Sequence, residues 1–181
     1  MADKRQETLW VFRAQVGDRD ALAALLRAVQ EPLYRYIAGL VNDRAFAEDV
    51  LQEVFLCVYR KLCWLREPEL FRPWCYRIAT RETFRRLKGE RRWSGQHCDQ
   101  ATLSAVEAPV AEERDPELLA RLPDLLEQVS PASKTVLILH YLDDLSLEDV
   151  AGILDVPTGT VKSRLAYGLS ILRRLLPNAE H

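Results

Sequence analysis

Residues 145–165 read LSLEDVAGILDVPTGTVKSRL, and the reading of the whole chain turns on them. Ser146 can cap a first helix, and Asp149 three residues later completes a capping-box pattern. Ala151 is small where two helices must cross closely. Asp155, Val156 and Pro157 supply a turn, and Thr158 is placed as the N-cap of a second helix with Val161 and Leu165 on its buried side. Two helices about a tight turn predict a helix-turn-helix, which offers its second helix to the major groove of DNA. That register turns Lys162, Ser163, Ala166 and Tyr167 outward, with Thr160 and Arg164 at the flanks, as candidates for base edges and phosphates. A helical hairpin that merely resembles a DNA reader remains the competing interpretation.

Upstream, the apolar residues recur at helical rather than strand spacing. Asp18 is placed as the cap of a helix through Ala21, Leu22, Leu25, Leu26 and Val29. Pro32 is expected to begin a second helix, LYRYIAGLV, which stops near Asn42. Asp43 starts DRAFAEDVLQEVFLCVYRKL, and an irregular stretch, CWLREPELFR, follows with Pro68 and Pro73 bracketing it. A long helix is predicted from Pro73 to about Lys88. From Ser94 to Asp115 the pattern dissolves into small and acidic residues, which reads as a linker. Pro116 restarts helix, and Ser130-Pro131 forms a cap and first turn for TVLILHYL. The expected fold is all-α: two small helical domains, 1–93 and 116–181, on an acidic tether, 94–115.

The 181 residues suffice for one medium domain or two small ones, and 48% hydrophobic content supports packed cores. No apolar run approaches the roughly 20 residues needed to span a bilayer. MADKRQETLW has no apolar signal region, and Cys57, Cys63, Cys75 and Cys98 show no paired CxxC spacing, so an intracellular, reduced setting is expected. The cysteines read mainly as small buried hydrophobes, with redox sensing as the alternative. Net charge is only −2, yet it is segregated. Residues 1–93 hold 18 Lys/Arg against 13 Asp/Glu, whereas residues 94–129 hold 2 against 8. The acidic tether is therefore expected to be able to fold back on the basic part and limit DNA binding by the free protein.

Two helices carry distinctive faces. At 100° per residue, residues 47–62 put Val50, Leu51, Val54, Phe55, Val58 and Leu62 on one side. Asp49, Gln52, Glu53, Leu56 and Arg60 form a stripe opposite. A solvated amphipathic face explains the stripe, and so does a docking surface, since Leu56 is apolar in its middle. Residues 72–92 contain eight Lys/Arg and two Glu. Arg77, Arg81, Arg85 and Lys88 share one face, with Trp74 at its head and Phe84 beside it. Cations interleaved with aromatics suit single-stranded or melted DNA, and the alternative is a basic surface helix with both rings in the core.

Enzymatic and metal readings find little support. His97 and Cys98 are adjacent in the tether with no further ligands at metal spacing, and His140 sits among apolar residues as a structural group. There is no Gly-rich phosphate loop or nucleophile elbow, so no cofactor, metal or small-molecule substrate is expected.

These pieces, in this order, resemble an extracytoplasmic-function sigma factor of bacterial RNA polymerase. The resemblance rests on AEDVLQEVF (47–55), FRPWCYRIA (71–79) and SLEDVAGILDVPTGTVKSRL (146–165), and covers almost the whole chain except the tether. It implies a domain 2 and a domain 4, a promoter-specificity subunit, and no catalysis of its own. It implies that Asp49, Gln52, Glu53 and Leu56 dock on core RNA polymerase. Residues 63–72, then Trp74, Tyr76, Arg77, Arg81, Arg85 and Lys88, would open and read the minus-10 element. Thr158, Thr160, Lys162, Ser163, Arg164 and Tyr167 would read the minus-35 element. The resemblance also implies an anti-sigma factor as inhibitor, and a cytoplasmic protein held at the membrane where that inhibitor is membrane-anchored. The chain departs from the family's common pattern at Arg81, where Asn is usual, and at Asp155, where Gly is usual. Ala166-Tyr167-Gly168-Leu169 stands where further arginines often follow. The remaining alternatives are a sigma mimic that sequesters an anti-sigma factor without touching DNA, and a two-domain regulator that needs no polymerase.

Overall fold

The computed structural model describes residues 4–94 and 125–175, with side chains of the first segment described to residue 89. The chain divides into two compact units, Met1–Cys98 and Asp99–His181, and every described element is helical.

In the first unit, α1 (Lys4–Gln15) and α2 (Arg19–Val41) are joined through Asp18, whose carboxylate accepts from the Asp20 and Ala21 N–H groups at 3.0 Å. Those bonds, the one from Ala21 first and then the Arg13 contact, hold its carboxyl below the ordinary range. α2 does not break at Pro32 as the sequence suggested but runs through it. A proline inside a helix forfeits one hydrogen bond and costs roughly 3 kcal/mol. Val29, Leu33, Tyr36 and Ile37 are all buried around it, and each buried large apolar side chain returns about 1.5–3 kcal/mol. Asn42 ends α2 in the left-handed region (φ 53°), and Asp43 caps α3 (Arg44–Lys61) by accepting from Phe46 N–H at 3.0 Å.

Two 3₁₀ turns, Leu62–Trp64 and Pro68–Leu70, lead into α4 (Phe71–Ser94). Pro73 therefore lies in the first turn of α4 rather than at its start, where its missing N–H would have no intrahelical partner. α2 packs against α1, α3 and α4, and α3 against α4. Tyr36 is fully buried at this centre, with its hydroxyl 2.6 Å from Thr80 Oγ1. α1 adds a part-buried ion pair: the buried Glu7 carboxylate receives Nε and Nη2 of the half-buried Arg72.

The second unit begins, within the described residues, with buried Leu125 and Leu126. Ser130 caps α5 (Pro131–Leu137), which widens into a π-helical turn, Ile138–Leu142. α6 (Leu147–Leu154) and α7 (Thr158–Leu175) follow. Both α5 and α6 pack on α7. His140 is structural, its Nδ1 lying 2.8 Å from the Leu145 carbonyl oxygen. Of the cysteines expected to be buried, Cys75 is, Cys57 is half-buried and Cys63 is exposed. Burial pushes the Cys57 and Cys75 thiols up, away from thiolate chemistry. The acidic tether, His97 and Cys98 lie outside the described residues.

Candidate nucleic-acid interface

In α6, the Ser146 hydroxyl oxygen accepts from Asp149 N–H at 3.0 Å. The return bond of a full capping box is not made. Asp149 is one methylene shorter than Glu, and its Oδ2 accepts from the Ser146 hydroxyl at 2.7 Å instead. Asp155 takes the left-handed conformation (φ 55°), and its N–H donates to the Ala151 carbonyl. A short polar side chain tolerates this better than most, so the turn forms without glycine.

Thr158 is the first residue of α7 rather than its cap. The Pro157 carbonyl accepts from Thr160 and Val161, which puts Pro157 in the cap position. Val161 and Leu165 are buried, Lys162 is exposed, and Thr158, Thr160, Ser163, Arg164 and Tyr167 are half-buried. Arg164 Nε has no hydrogen-bond partner, whereas the Ser163 hydroxyl donates to the Gly159 carbonyl at 3.0 Å. Ala166, expected to face outward, is buried, because the inward face of α7 widens there to meet α5. Gly168 marks a close approach of α7 to α5: a Cβ added to it would lie 2.8 Å from Leu137 Cδ1.

In the first unit, Asp49, Gln52, Glu53, Leu56 and Arg60 are all exposed on α3, over a core of Ala47, Val50, Leu51, Val54 and Val58. Leu56 keeps 47% of its surface, and Tyr59 one turn on keeps 67%. An apolar patch therefore sits inside the polar stripe.

On α4, Arg81, Arg85 and Lys88 are exposed, while Trp74 and Arg77 are half-buried. Tyr76 is a correction. It is only 6% exposed, with its ring edge-on to Tyr36 at 5.3 Å between centroids, so it cannot offer a face to a base. In a helix that buries Phe71, Cys75, Ala79 and Thr83, position 76 falls on the inner side. The face is also less one-sided than its charge count suggests. Arg85 pairs with Glu82 at 2.6 Å and Arg86 with Asp49 at 2.7 Å. The Glu82 hydrogen bond, first among the causes, holds the Arg85 guanidinium still more firmly charged.

At the head of α4 a cleft of about 260 Å³ opens between Trp64, Leu65, Arg66, Glu67, Leu70, Pro73, Trp74 and Arg77. Trp64 stands 74% exposed at this site. By helical phase the sequence placed Trp74 and Phe84 on an aromatic-cationic surface, and the resemblance added Tyr76 and the loop 63–72 that holds Trp64. Trp64 came from an irregular stretch in which no periodicity assigns a direction. Among the described residues, no group of three or more His, Cys, Asp or Glu is gathered as a metal site would need.

Residues 25–93 match the family described as Sigma-70 region 2, and residues 119–172 match Sigma-70, region 4. The chain is 30% identical to the RNA polymerase sigma-H factor of Pseudomonas aeruginosa, with 91% of each chain covered. It is 32% identical to the ECF RNA polymerase sigma-E factor of Haemophilus influenzae, covering 91% of this chain and 92% of that one. Among solved structures, CnrH in complex with the cytosolic domain of CnrY shares the fold at a TM-score of 0.72 and 20% identity, covering 97% of this chain and 99% of that one. The sigma factor RpoE of Bartonella quintana, in complex with the anti-sigma factor NepR, does so at 0.68 and 20%, covering 86% and 96%. The chain belongs to the extracytoplasmic-function sigma factors, the promoter-specificity subunits of bacterial RNA polymerase.

Proposed function

We propose that this sigma subunit divides its work between two domains, 1–93 and 116–181. The first docks on core RNA polymerase through Asp49, Gln52, Glu53 and Leu56 on α3. It reads and opens the minus-10 element with the loop between α3 and α4, then with Trp74, Arg77, Arg81, Arg85 and Lys88. The second reads the minus-35 element with Thr158, Thr160, Lys162, Ser163, Arg164 and Tyr167. Tyr76 takes a different part, as the ring that seats α4 on Tyr36. The polymerase performs the chemistry, and this chain makes and breaks no covalent bond.

The cleft at the head of α4 carries the proposal. It brings Trp64 and Trp74 together with Arg66 and Arg77, beside the exposed cations of α4. Ring faces stack on unpaired bases of any sequence, and guanidinium groups neutralise the neighbouring phosphates. A duplex reader needs no such cleft, and a mimic of a sigma factor needs no exposed cations.

No described helix is long and apolar enough to cross a membrane. The chain is assigned to the cytoplasm with the polymerase, and an anti-sigma factor is its assigned inhibitor. The test is run-off transcription with purified core enzyme across genomic promoter fragments. Initiation at a defined promoter set is expected, and it should disappear when this chain is omitted. No initiation at any fragment, with core binding intact, would remove the proposal.

A further inference from the structure

The loop between α3 and α4 carries little core of its own. Leu62 and Pro68 are buried, while Cys63, Trp64, Arg66, Glu67, Glu69 and Leu70 are exposed. α1 holds it at both ends. At the near end, Gln15 Nε2 donates to the Leu62 carbonyl at 2.9 Å and to the Leu65 carbonyl at 2.8 Å. At the far end, Glu7 grips Arg72, with Arg72 Nε donating at 2.8 and 3.1 Å and Nη2 completing the fork. Between these two grips lie Trp64, Leu65, Arg66, Glu67 and Leu70, which form one wall of the cleft.

Both hydrogens of one amide nitrogen are spent on this loop. The Leu62 carbonyl also accepts Leu65 N–H at 3.1 Å, so the Gln15 side chain and the 3₁₀ turn share an acceptor. A carboxylate of the same shape has no hydrogen to give and would set oxygen against oxygen. Gln15 is the last residue of α1, and its bonds reach across nearly fifty positions of sequence to backbone atoms only. Its contacts are therefore independent of the side chains the loop displays.

We propose that Gln15 is a positioning residue for minus-10 recognition. It ties the carbonyls of Leu62 and Leu65 to the end of α1, and so sets the turn that carries Trp64 and the shape of the cleft before DNA arrives. Preorganisation of this kind raises affinity by removing the cost of ordering the loop at binding. The inference rests on the assignment of this loop to the minus-10 strand.

The experiment uses holoenzyme reconstituted from core polymerase and the full chain, as wild type, Gln15→Glu and Gln15→Met. The probe is a fluorescent single-stranded oligonucleotide that the wild-type holoenzyme selects from a pool randomised over the minus-10 segment, compared with its scrambled counterpart. Both variants should bind core with wild-type affinity. Their affinity for the selected strand should fall by about tenfold, the effect of losing two modest hydrogen bonds, and the preference over the scrambled strand should fall with it. Should Gln15→Glu misfold, seen as reduced core affinity, Gln15→Met decides. Unchanged strand affinity and preference would overturn the proposal, as would equal losses for both strands. A wild-type holoenzyme that selects no strand would instead overturn the assignment of the loop.

Discussion

Asp49 on α3 and Arg86 on α4 meet at 2.7 Å, and the same guanidinium lies over the Phe46 ring, 5.3 Å from its centroid. A carboxylate of the proposed docking stripe and a cation of the basic helix thus neutralise each other at the seam between the helices. The two surfaces share a structural element there. Arg86 is anchored on two sides by α3, which makes it part of the scaffold rather than of the cationic face.

Arg86→Ala should therefore destabilise the protein, whereas Arg81→Ala, on the exposed side of α4, should not. The ion pair is solvent-screened and contributes well under 1 kcal/mol, and the cation–π contact adds about as much again. A loss of about 1 kcal/mol lowers Tm by roughly 4–8 °C in a domain of this size. Thermal unfolding of both variants checks this. Equal Tm values would show that the Asp49–Arg86–Phe46 cluster contributes nothing.

DNA binding should separate the same cations differently. Arg81→Ala and Lys88→Ala should each reduce the slope of log affinity against log salt by about 0.7–0.9, the value for one phosphate contact. Arg85→Ala should reduce it less, because Glu82 already balances that charge in the free protein at 2.6 Å. Titrations of holoenzyme with the minus-10 strand at several salt concentrations read the slopes. An Arg85→Ala slope change as large as that of Arg81→Ala would mean that Glu82 is pulled away on binding.

Glu53→Arg should weaken core binding by about tenfold or more, since it reverses a charge in the middle of a proposed docking surface. Duplex binding at the minus-35 element is proposed for the other unit and should be unchanged. Fluorescence titration against core, beside gel shifts with a minus-35 duplex, distinguishes this from misfolding. Loss of neither activity would remove Glu53 from the docking surface, and loss of both would mean that the variant misfolds.

The elements legible in the sequence were those with local causes. Asp18, Asp43, Ser130 and Ser146 each cap a helix where the residue type predicts it. α1 is not legible because its inner face consists of Glu7 and Val11, while Leu9 and Phe12 stay exposed, which inverts the usual pattern. Glu7 is buried because of Arg72, 65 positions away, and no local rule sees that pair. Pro32 misled for the same reason, since the helix survives it through burial against distant partners. At the candidate site, the α3 stripe could be read because exposure follows helical phase. The cleft could not, because the loop that forms one wall of it is bonded through its carbonyls to Gln15, nearly fifty positions earlier, and no local rule sees that contact.

Lys134 is buried in α5 between Ser133 and Thr135, themselves buried. Desolvation pushes its ammonium below its ordinary value, and the Glu127 carboxylate opposes the shift only in part. Between that lowered value and 10.5 the unfolded chain holds the proton more tightly than the native one. Stability should rise with pH through this window and level off above it. Lys134→Met should remove that rise and raise stability near neutral pH, since it takes away the cost of desolvating the ammonium. Denaturant midpoints of wild type and variant between neutral and alkaline pH provide the check. Parallel curves would mean that Lys134 titrates normally.

Gly168 links the packing of the second unit to the aim of its DNA-facing helix. In a free helix Gly→Ala is favourable by about 1 kcal/mol, so a helix-interior glycine needs a reason. Here a methyl at 168 would meet Leu137 Cδ1 at 2.8 Å, Leu137 Cγ at 3.2 Å and Ser133 Cβ at 3.4 Å. Leu137 is only 1% exposed and has little room to yield. Overpacking typically costs 1–3 kcal/mol, more than the propensity gain, so Gly168→Ala should destabilise by about 1 kcal/mol. Trimming the partner should restore room: Gly168→Ala with Leu137→Val should be more stable than the two single effects added together, by about 1 kcal/mol. Because α7 seats on α5 at this point, Gly168→Ala should also weaken minus-35 binding, and the paired change should restore it in part. A single variant with raised Tm and unaltered DNA binding would show that α7 shifts freely on α5. Gly168 would then have no part in orienting Lys162 and Arg164.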